Sequence, residues 1–422
     1  MCENKNGRIF LSKKMDRRNF LKLAGTTAFA VSVTSVLGGC SEVPDAPSSS
    51  SPSASPEPPA PSSSGSSSSS SDASSIPDVE QSKIIWETRN NDDGTAVLTG
   101  YDSNGAQPMG VITLPEKWSG RKIVELDGNL GGKITKMIVP GCYKKVHYGG
   151  SKYLEELILN EGVESIYEFD GSTSLRNVQL PSTIKSIGYK AFLGCTSLAS
   201  INLPEGLESL GWHAFSESGL TTVVVPSTVV SYNSYNDSAP FYDCKNLVSA
   251  TIKCSVLSQC MFEACPQLKS VSLNDTILEL PYKIFRDCSA LPAITLPEKL
   301  KRLHGEAFNG CKSLRSITIP ETVSVIDEKV FSRTSIQKII LPNNLKKIAW
   351  GTFEECSILQ AVYIPLSVNT IENDAFENCP LLKDVYYQSG ETQWVHINIS
   401  DYGNTMLKAA AMHYYSSPNS LR

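Results

Sequence analysis

The chain has 422 residues, with 38 Lys and Arg against 43 Asp and Glu. Residues 1–39 hold seven of the basic residues and two acids, so the remainder sits near −10 and carries no basic stripe of the kind that neutralises phosphates; nucleic-acid binding is thereby disfavoured. A block of almost pure Ser, Pro and Ala between Val43 and Pro77 buries no apolar surface, so the length overstates the part that can fold.

From Met15 the chain reads MDRRNFLKLAGTTAFAVSVTSVLGGC, a basic head followed by a small and apolar run from Leu23 to Leu37. That run is too short to span a bilayer as a helix. Arg17 and Arg18 open a string that resembles the twin-arginine export signal, with Asp16 where that motif carries Ser or Thr; the general secretory route stays open beside it. Leu37-Gly38-Gly39-Cys40 resembles the lipobox of bacterial lipoproteins, which implies cleavage before Cys40 and lipid attached to its thiol. Residues 1–39 are therefore expected to be an export signal, with Met15 as an alternative start to Met1. The protein is expected to be exported and held by lipid on the outer face of the bacterial cytoplasmic membrane or at the cell surface.

Residues 40–77 then read as the anchor cysteine and a disordered tether, whose Pro-rich chain would reach at most ~3.1 Å per residue, or roughly 100 Å. Residues 78–114 form the next segment, an N-terminal cap in which Asp93-Gly94 between two strand-like runs signals a hairpin.

From 115 to 388 self-similarity dominates. Taking the residue after each final apolar strand position as a marker, most steps are 21–23 residues, and about twelve units emerge. The unit LPEKLKRLHGEAFNGCKSLRSIT shows the inward positions: Leu300 and Leu303, then Ala307-Phe308, Cys311, Leu314 and Ile317. Leu314-x-x-Ile317-x-Ile319 alternates as a half-buried strand and Pro320 ends it, while GEAFNGC predicts about one helical turn. One coil cannot cover its own apolar face, so stacking must supply the stability. Twelve coils with strands ~4.8 Å apart predict one continuous sheet roughly 55–60 Å long.

Cys195, Cys244, Cys265, Cys288, Cys311, Cys356 and Cys379 all fall three residues after an aromatic at the same slot, with Ser218 and Thr334 replacing the thiol in two units. A small, weakly polar side chain packed at a tight turn accounts for both. Stacked side chains point the same way, which disfavours disulfides, and one ligand per coil forms a row and not a tetrahedron, which disfavours zinc. Cys254 stands at an aliphatic core position. Cys260 falls on a normally exposed position and is the candidate reactive thiol.

These repeats resemble the BspA-like leucine-rich repeat family of bacterial surface proteins over about residues 83–415. DDGTAVLTGY at Asp92–Tyr101 looks like that family's N-terminal hairpin cap, and QWVHINISDYGNTMLKAAAMHYY from Gln393 like its C-terminal cap, so residues 389–422 are assigned as cap and tail. The resemblance implies an α/β leucine-rich repeat solenoid with a parallel sheet on the concave face. It also implies a surface-displayed, non-catalytic protein that adheres to an extracellular protein or glycan. Departures are the units ending at Pro140 and Asn160, which lack Ala-Phe, and the stretch SYNSYNDSAPFYDC, whose Tyr232, Tyr235 and Asn236 are a candidate loop contact.

Catalysis has little support in the sequence. The five histidines are scattered over different coils and the cap, there is no Gly-x-Ser-x-Gly elbow, phosphate loop or His-Glu-x-x-His helix, and NNDDG at Asn90–Gly94 lacks the remaining acids of a calcium loop. No cofactor or metal is expected. The outward row of the strands, Asn202, Thr251, Ser272, Thr295, Thr318, Tyr363 and Tyr386, is the candidate binding face; Gln179, Val224 and Ile340 share its register. Two other readings stand beside adhesion: a surface hydrolase or carbohydrate-handling protein with its site in the 226–253 insertion or the cap, and an envelope spacer without a specific ligand.

Overall fold

A computed structural model describes residues 80–232 and 238–421. It opens on the expected hairpin. Trp86–Asn90 pairs antiparallel with Ala96–Tyr101 across a turn in which Asp93 accepts from the Thr95 amide at 2.9 Å and Gly94 takes φ +85°. The inner strand then pairs in parallel with Arg121–Asp127, so the hairpin closes the first sheet edge with an antiparallel strand.

From there the chain winds through about fourteen turns of a parallel β-solenoid, two more than the repeat spacing predicts. The strands fall on two ladders where the sequence suggested one. The first ladder passes through Leu126, Val146, Ile166, Ile187 and Leu210, resumes at Leu280, Leu303 and Ile326, and ends through Ile348, Ile371 and Ile399. The second is the Leu-x-x-Ile-x-Ile row, through Ile112, Met137, Leu157 and Val178, then Val223, Ala250 and Val271, then Ile339, Val362, Val385 and Met412. The Leu300 and Leu303 pair was legible as inward, but two-residue strands such as Arg302–Leu303 are too short to show a period. Among the described residues neither ladder is one continuous sheet, and the strands divide into six sheets.

The middle of each unit is not helical. In GEAFNGC, Glu306 and Gly310 both take left-handed backbone, φ +58° and +77°, which interrupts any i to i−4 ladder. The amides turn to the next coil instead. Phe308 N donates to Val330 O at 3.0 Å and Gly310 N to Ser332 O at 2.9 Å, and the same two bonds recur from Phe285 to Ala307 and from Asp287 to Asn309. The third side of the coil is thus a stack of turns tied coil to coil, and the only α-helices among the described residues, Glu391–Trp394 and Thr405–Ala409, lie in the C-terminal segment.

Inside this stack runs a column of rings. Phe192, Phe215, Phe241, Phe262, Phe285, Phe308, Phe331, Phe353 and Phe376 are buried with centroids 5.3 to 5.9 Å apart. The column extends into units without Ala-Phe: Phe169 stacks on Phe192 at 6.2 Å and Tyr148 lies tilted against Phe169 at 5.2 Å, with Ser172 and Ser151 three residues on, so aromatic-x-x-small was the broader signal there.

The repeated thiol has a specific task. Cys288 Sγ donates to Phe262 O at 3.1 Å, Cys311 to Phe285 O at 3.2 Å, Cys356 to Phe331 O at 3.0 Å and Cys379 to Phe353 O at 3.1 Å, each one reaching the preceding aromatic carbonyls of the stack. The thiol adds a donor to a buried carbonyl; Phe285 O and Phe353 O also accept from Cys288 N at 3.1 Å and Cys356 N at 3.2 Å, so there the slim S–H takes the second lone pair. Thr334, in the same slot, donates instead within its own coil, to Phe331 O at 2.9 Å, the carbonyl that Cys356 also reaches.

Candidate binding face

The outward positions of the second ladder form two columns. Strand register aligns Thr222, Ser249 and Ser270 in one and Val224, Thr251 and Ser272 in the other, and the repeat spacing extends the columns through extended segments outside the assigned strands to Ser200 and Asn202 on one side and to Ala293 and Thr295, then Ser316 and Thr318, on the other. All are exposed except Ser249 and Thr251, which are half-buried, and none carries a charge. Six rungs at ~4.8 Å make a strip roughly 24 Å long. Towards the N-terminus it meets Asn177 and Gln179, then the Lys136 and Glu156 ion pair at 2.9 Å.

Towards the C-terminus the same columns change character. Lys338, Ala361 and Asp384 continue one, and Ile340, Tyr363, Tyr386 and His413 the other. The sequence placed Tyr363 on the open face, but it is 0 % exposed. Ser417 to Leu421 folds back over it, and Leu421 packs on Ala361 and Tyr363 with Ile340 and Tyr386 at the margin, a small apolar cluster separate from the main core. Tyr386 is half-buried; His413 stacks on it at 4.5 Å and is held by Asp384 at 2.9 Å. The tail lies more than fifty residues beyond Tyr363 in sequence, so no local pattern announces the cover.

Two other candidates also move. Tyr232 turns inward: it packs against the core, its hydroxyl lies 3.4 Å from Cys254 Sγ, and burial pushes its ionisation well above the ordinary tyrosine value. Cys260 is 7 % exposed. It occupies the left-handed position, φ +54°, that Lys283, Glu306 and Lys329 hold in neighbouring coils; those long side chains reach solvent from a half-buried base, and a two-atom side chain does not. Tyr235, Asn236, Cys40, Arg17 and Arg18 lie outside the described residues.

The slot cysteines are shielded. Burial pushes the Cys195 thiol up to about 12 and Cys356 up to about 11, and raises Cys288 and Cys311 as well. Cys142 is the one described cysteine that is not fully buried. Mapping alkylation by mass spectrometry on the native protein should therefore mark Cys142 first among the described thiols, with Cys288 and Cys311 modified only after denaturation. Early labelling of the slot cysteines would contradict the packing assigned to them.

For chemistry, one open groove of about 460 Å³ lies where the first ladder is interrupted, between 255–259 and 276–282, and is lined by Val256, Leu278, Glu279, Pro281, Tyr282 and His304 among others. His304 Nε2 is bound to Glu279 at 2.7 Å and Nδ1 faces Asp327 at 3.6 Å, so both ring nitrogens look at carboxylates and neither at a hydroxyl or thiol. His147 is held in the same way by Asp127 at 2.9 Å and Glu168 at 2.7 Å; burial alone would lower its pKa, and the two carboxylates outweigh that and raise it. Neither pair, as placed, brings a nucleophile, a base and an oxyanion donor together.

A family model described as "BspA type Leucine rich repeat region" matches in six copies over residues 164–292 and 279–394. The chain belongs to the BspA-type leucine-rich repeat family. Among solved structures, the pneumococcal vaccine antigen PcpA is similar at 17% identity and a TM-score of 0.53, with 81% of this chain and 99% of that chain covered. A leucine-rich repeat protein from Bacteroides ovatus is similar at 21% identity, TM-score 0.48, over 79% and 77% of the two chains. A leucine-rich cell surface protein from Faecalibacterium prausnitzii matches at 17% identity, TM-score 0.42, over 78% and 98%. No curated protein matches the chain. The residues matched by the family model span the stacked turns that carry the Phe column and the hydroxyl strip.

Proposed function

We propose that this BspA-type protein is displayed on the bacterial surface, held by lipid at Cys40, and binds an extended extracellular protein or glycan along the uncharged strip from Ser200 to Thr318, without turnover. The observation that carries this reading is the strip itself. Over six rungs it offers hydroxyl and amide groups, each donor and acceptor, with no charge whose hydration must be removed on docking. Exposed strands ordinarily mix Lys and Glu among Thr, and a surface free of them meets a long partner through many modest contacts. Membership of a leucine-rich repeat family supports a binding role, and PcpA and the Faecalibacterium protein are described as an antigen and a cell surface protein.

The test uses residues 76–422 presented to immobilised matrix proteins and glycans. Saturable binding is expected, and the double variant Thr295→Glu with Thr318→Glu should weaken it by about tenfold or more, since two carboxylates must then be desolvated or left unpaired. Binding that survives both changes would remove the strip from the reading. A carbohydrate-handling role in the groove beside Glu279 and His304 is the second reading; it requires product release from a glycan, abolished by Glu279→Gln.

A further inference from the structure

Past the hydroxyl strip, the outward face of the second ladder presents Ile340, Ala361, Tyr363 and Tyr386 side by side. Without Leu421 these would form a contiguous apolar patch on the solvent side of a sheet, which soluble proteins rarely leave open. The chain covers it with its own segment. Ser417 to Ser420 forms a tight turn, with Ser420 N bonded to Ser417 O at 2.9 Å and Leu421 N to Pro418 O at 3.3 Å, and this turn aims Leu421 into the patch.

The cover is an imperfect fit. Tyr363 is fully buried beneath it, yet its hydroxyl has no hydrogen-bond partner. Up to Ser416 the tail is fastened to the solenoid, Tyr415 N to Ser389 O and Ser416 N to Tyr387 O, both at 3.0 Å. Beyond Ser416, among the described residues, its one hydrogen bond to the sheet is from Lys338 Nζ to Leu421 O, at 3.4 Å. A buried hydroxyl stripped of water and left unpaired opposes the closed state.

We propose that this patch is a peptide-docking site which the segment from Ser417 to Leu421 occupies in cis, and that a partner peptide displaces it. The partner chemistry follows from the occupant and from what the occupant leaves unmet: an aliphatic side chain for the Ala361 and Tyr363 cleft, a carbonyl or carboxylate for Lys338, and an acceptor within reach of the Tyr363 hydroxyl. The site adjoins the strip proposed above and deepens that reading, but the two fail separately.

The probe is a fluorescently labelled hexapeptide of the chain's own sequence, Ser-Ser-Pro-Asn-Ser-Leu, added to the full chain and to its Leu421→Asp variant, which puts a carboxylate into the apolar cleft and ejects the tail. Anisotropy should show saturable binding to Leu421→Asp at least about tenfold tighter than to the parent chain. Adding Ala361→Arg to Leu421→Asp should abolish it, and unchanged far-ultraviolet dichroism of both variants checks that the solenoid remains. Thr295→Glu with Thr318→Glu should leave peptide binding unaltered, so a failed strip does not mask a working patch. Equal binding to parent and Leu421→Asp, or none to a folded Leu421→Asp, would overturn the proposal.

Discussion

Phe285→Ala is expected to destabilise the solenoid by about 3–5 kcal/mol, the range for deleting a fully enclosed aromatic. Its ring lies between Phe262 and Phe308, at 5.9 and 5.6 Å, and is entirely buried. The size of the effect depends on whether the site can collapse, and here the backbone prevents it. Phe285 N is bonded to Ala307 O and Phe262 N to Ile284 O, so the coils cannot close over the gap without breaking the bonds that set their spacing. In a stack where each coil touches only its neighbours, a fault at this interior position also uncouples the two halves. Urea unfolding of the variant should show an earlier midpoint and a broadened or split transition. Leu278→Ala, on the surface of the same coil and 52 % exposed, should stay within about 0.5 kcal/mol of the parent. A cost for Phe285→Ala as small as that of Leu278→Ala would mean the rings fill space without bracing the stack.

What could be read from the sequence was whatever repeats within one coil. Phe308, Cys311 and Leu314 recur at a fixed spacing because each faces the same core in every turn, so their burial was legible from the repeat alone, whereas Ile317, read as inward, is half-buried. The turn conformation was not. Left-handed backbone at Glu306, Lys329 or Arg333 is imposed by the stack, and none of these residues favours it, so GEAFNGC reads locally as a helical turn. The outward row was legible where it is exposed, from Asn202 to Thr318, and misread at Tyr363 because the covering Leu421 belongs to a different part of the chain. Cys260 shows the same limit. Its position was identified as one that neighbouring coils expose, but exposure there depends on side-chain length.

Gly211→Ala is the sharpest test of how closely the coils approach. A Cβ at this position would lie 2.3 Å from the Gly188 carbonyl carbon, 2.6 Å from Tyr189 N and 2.7 Å from Gly188 O, and all three are backbone atoms that cannot swing aside. Gly211 has no left-handed φ, so its glycine is required by space and not by conformation. The surroundings hold both coils in place: Gly211 N bonds to Ile187 O at 2.7 Å, Lys190 N to Trp212 O at 2.9 Å, and Trp212 stacks on Tyr189 at 5.2 Å with Lys190 Nζ over both rings. Overpacking of this kind costs about 3 kcal/mol when the neighbours cannot yield. The loss should appear in thermal or urea unfolding together with altered near-ultraviolet dichroism, because pushing the coils apart unstacks Tyr189 and Trp212. Gly171→Ala separates the two kinds of glycine. Gly171 has φ +69° and nothing within 4 Å of the added carbon, so its penalty is conformational alone, about 1–2 kcal/mol, and the Tyr189 and Trp212 signal should not change. If the two variants lose the same stability and Gly211→Ala keeps the native aromatic signal, the coils have more freedom to separate than their hydrogen bonds imply, and the solenoid is held by its ring column more than by its backbone spacing.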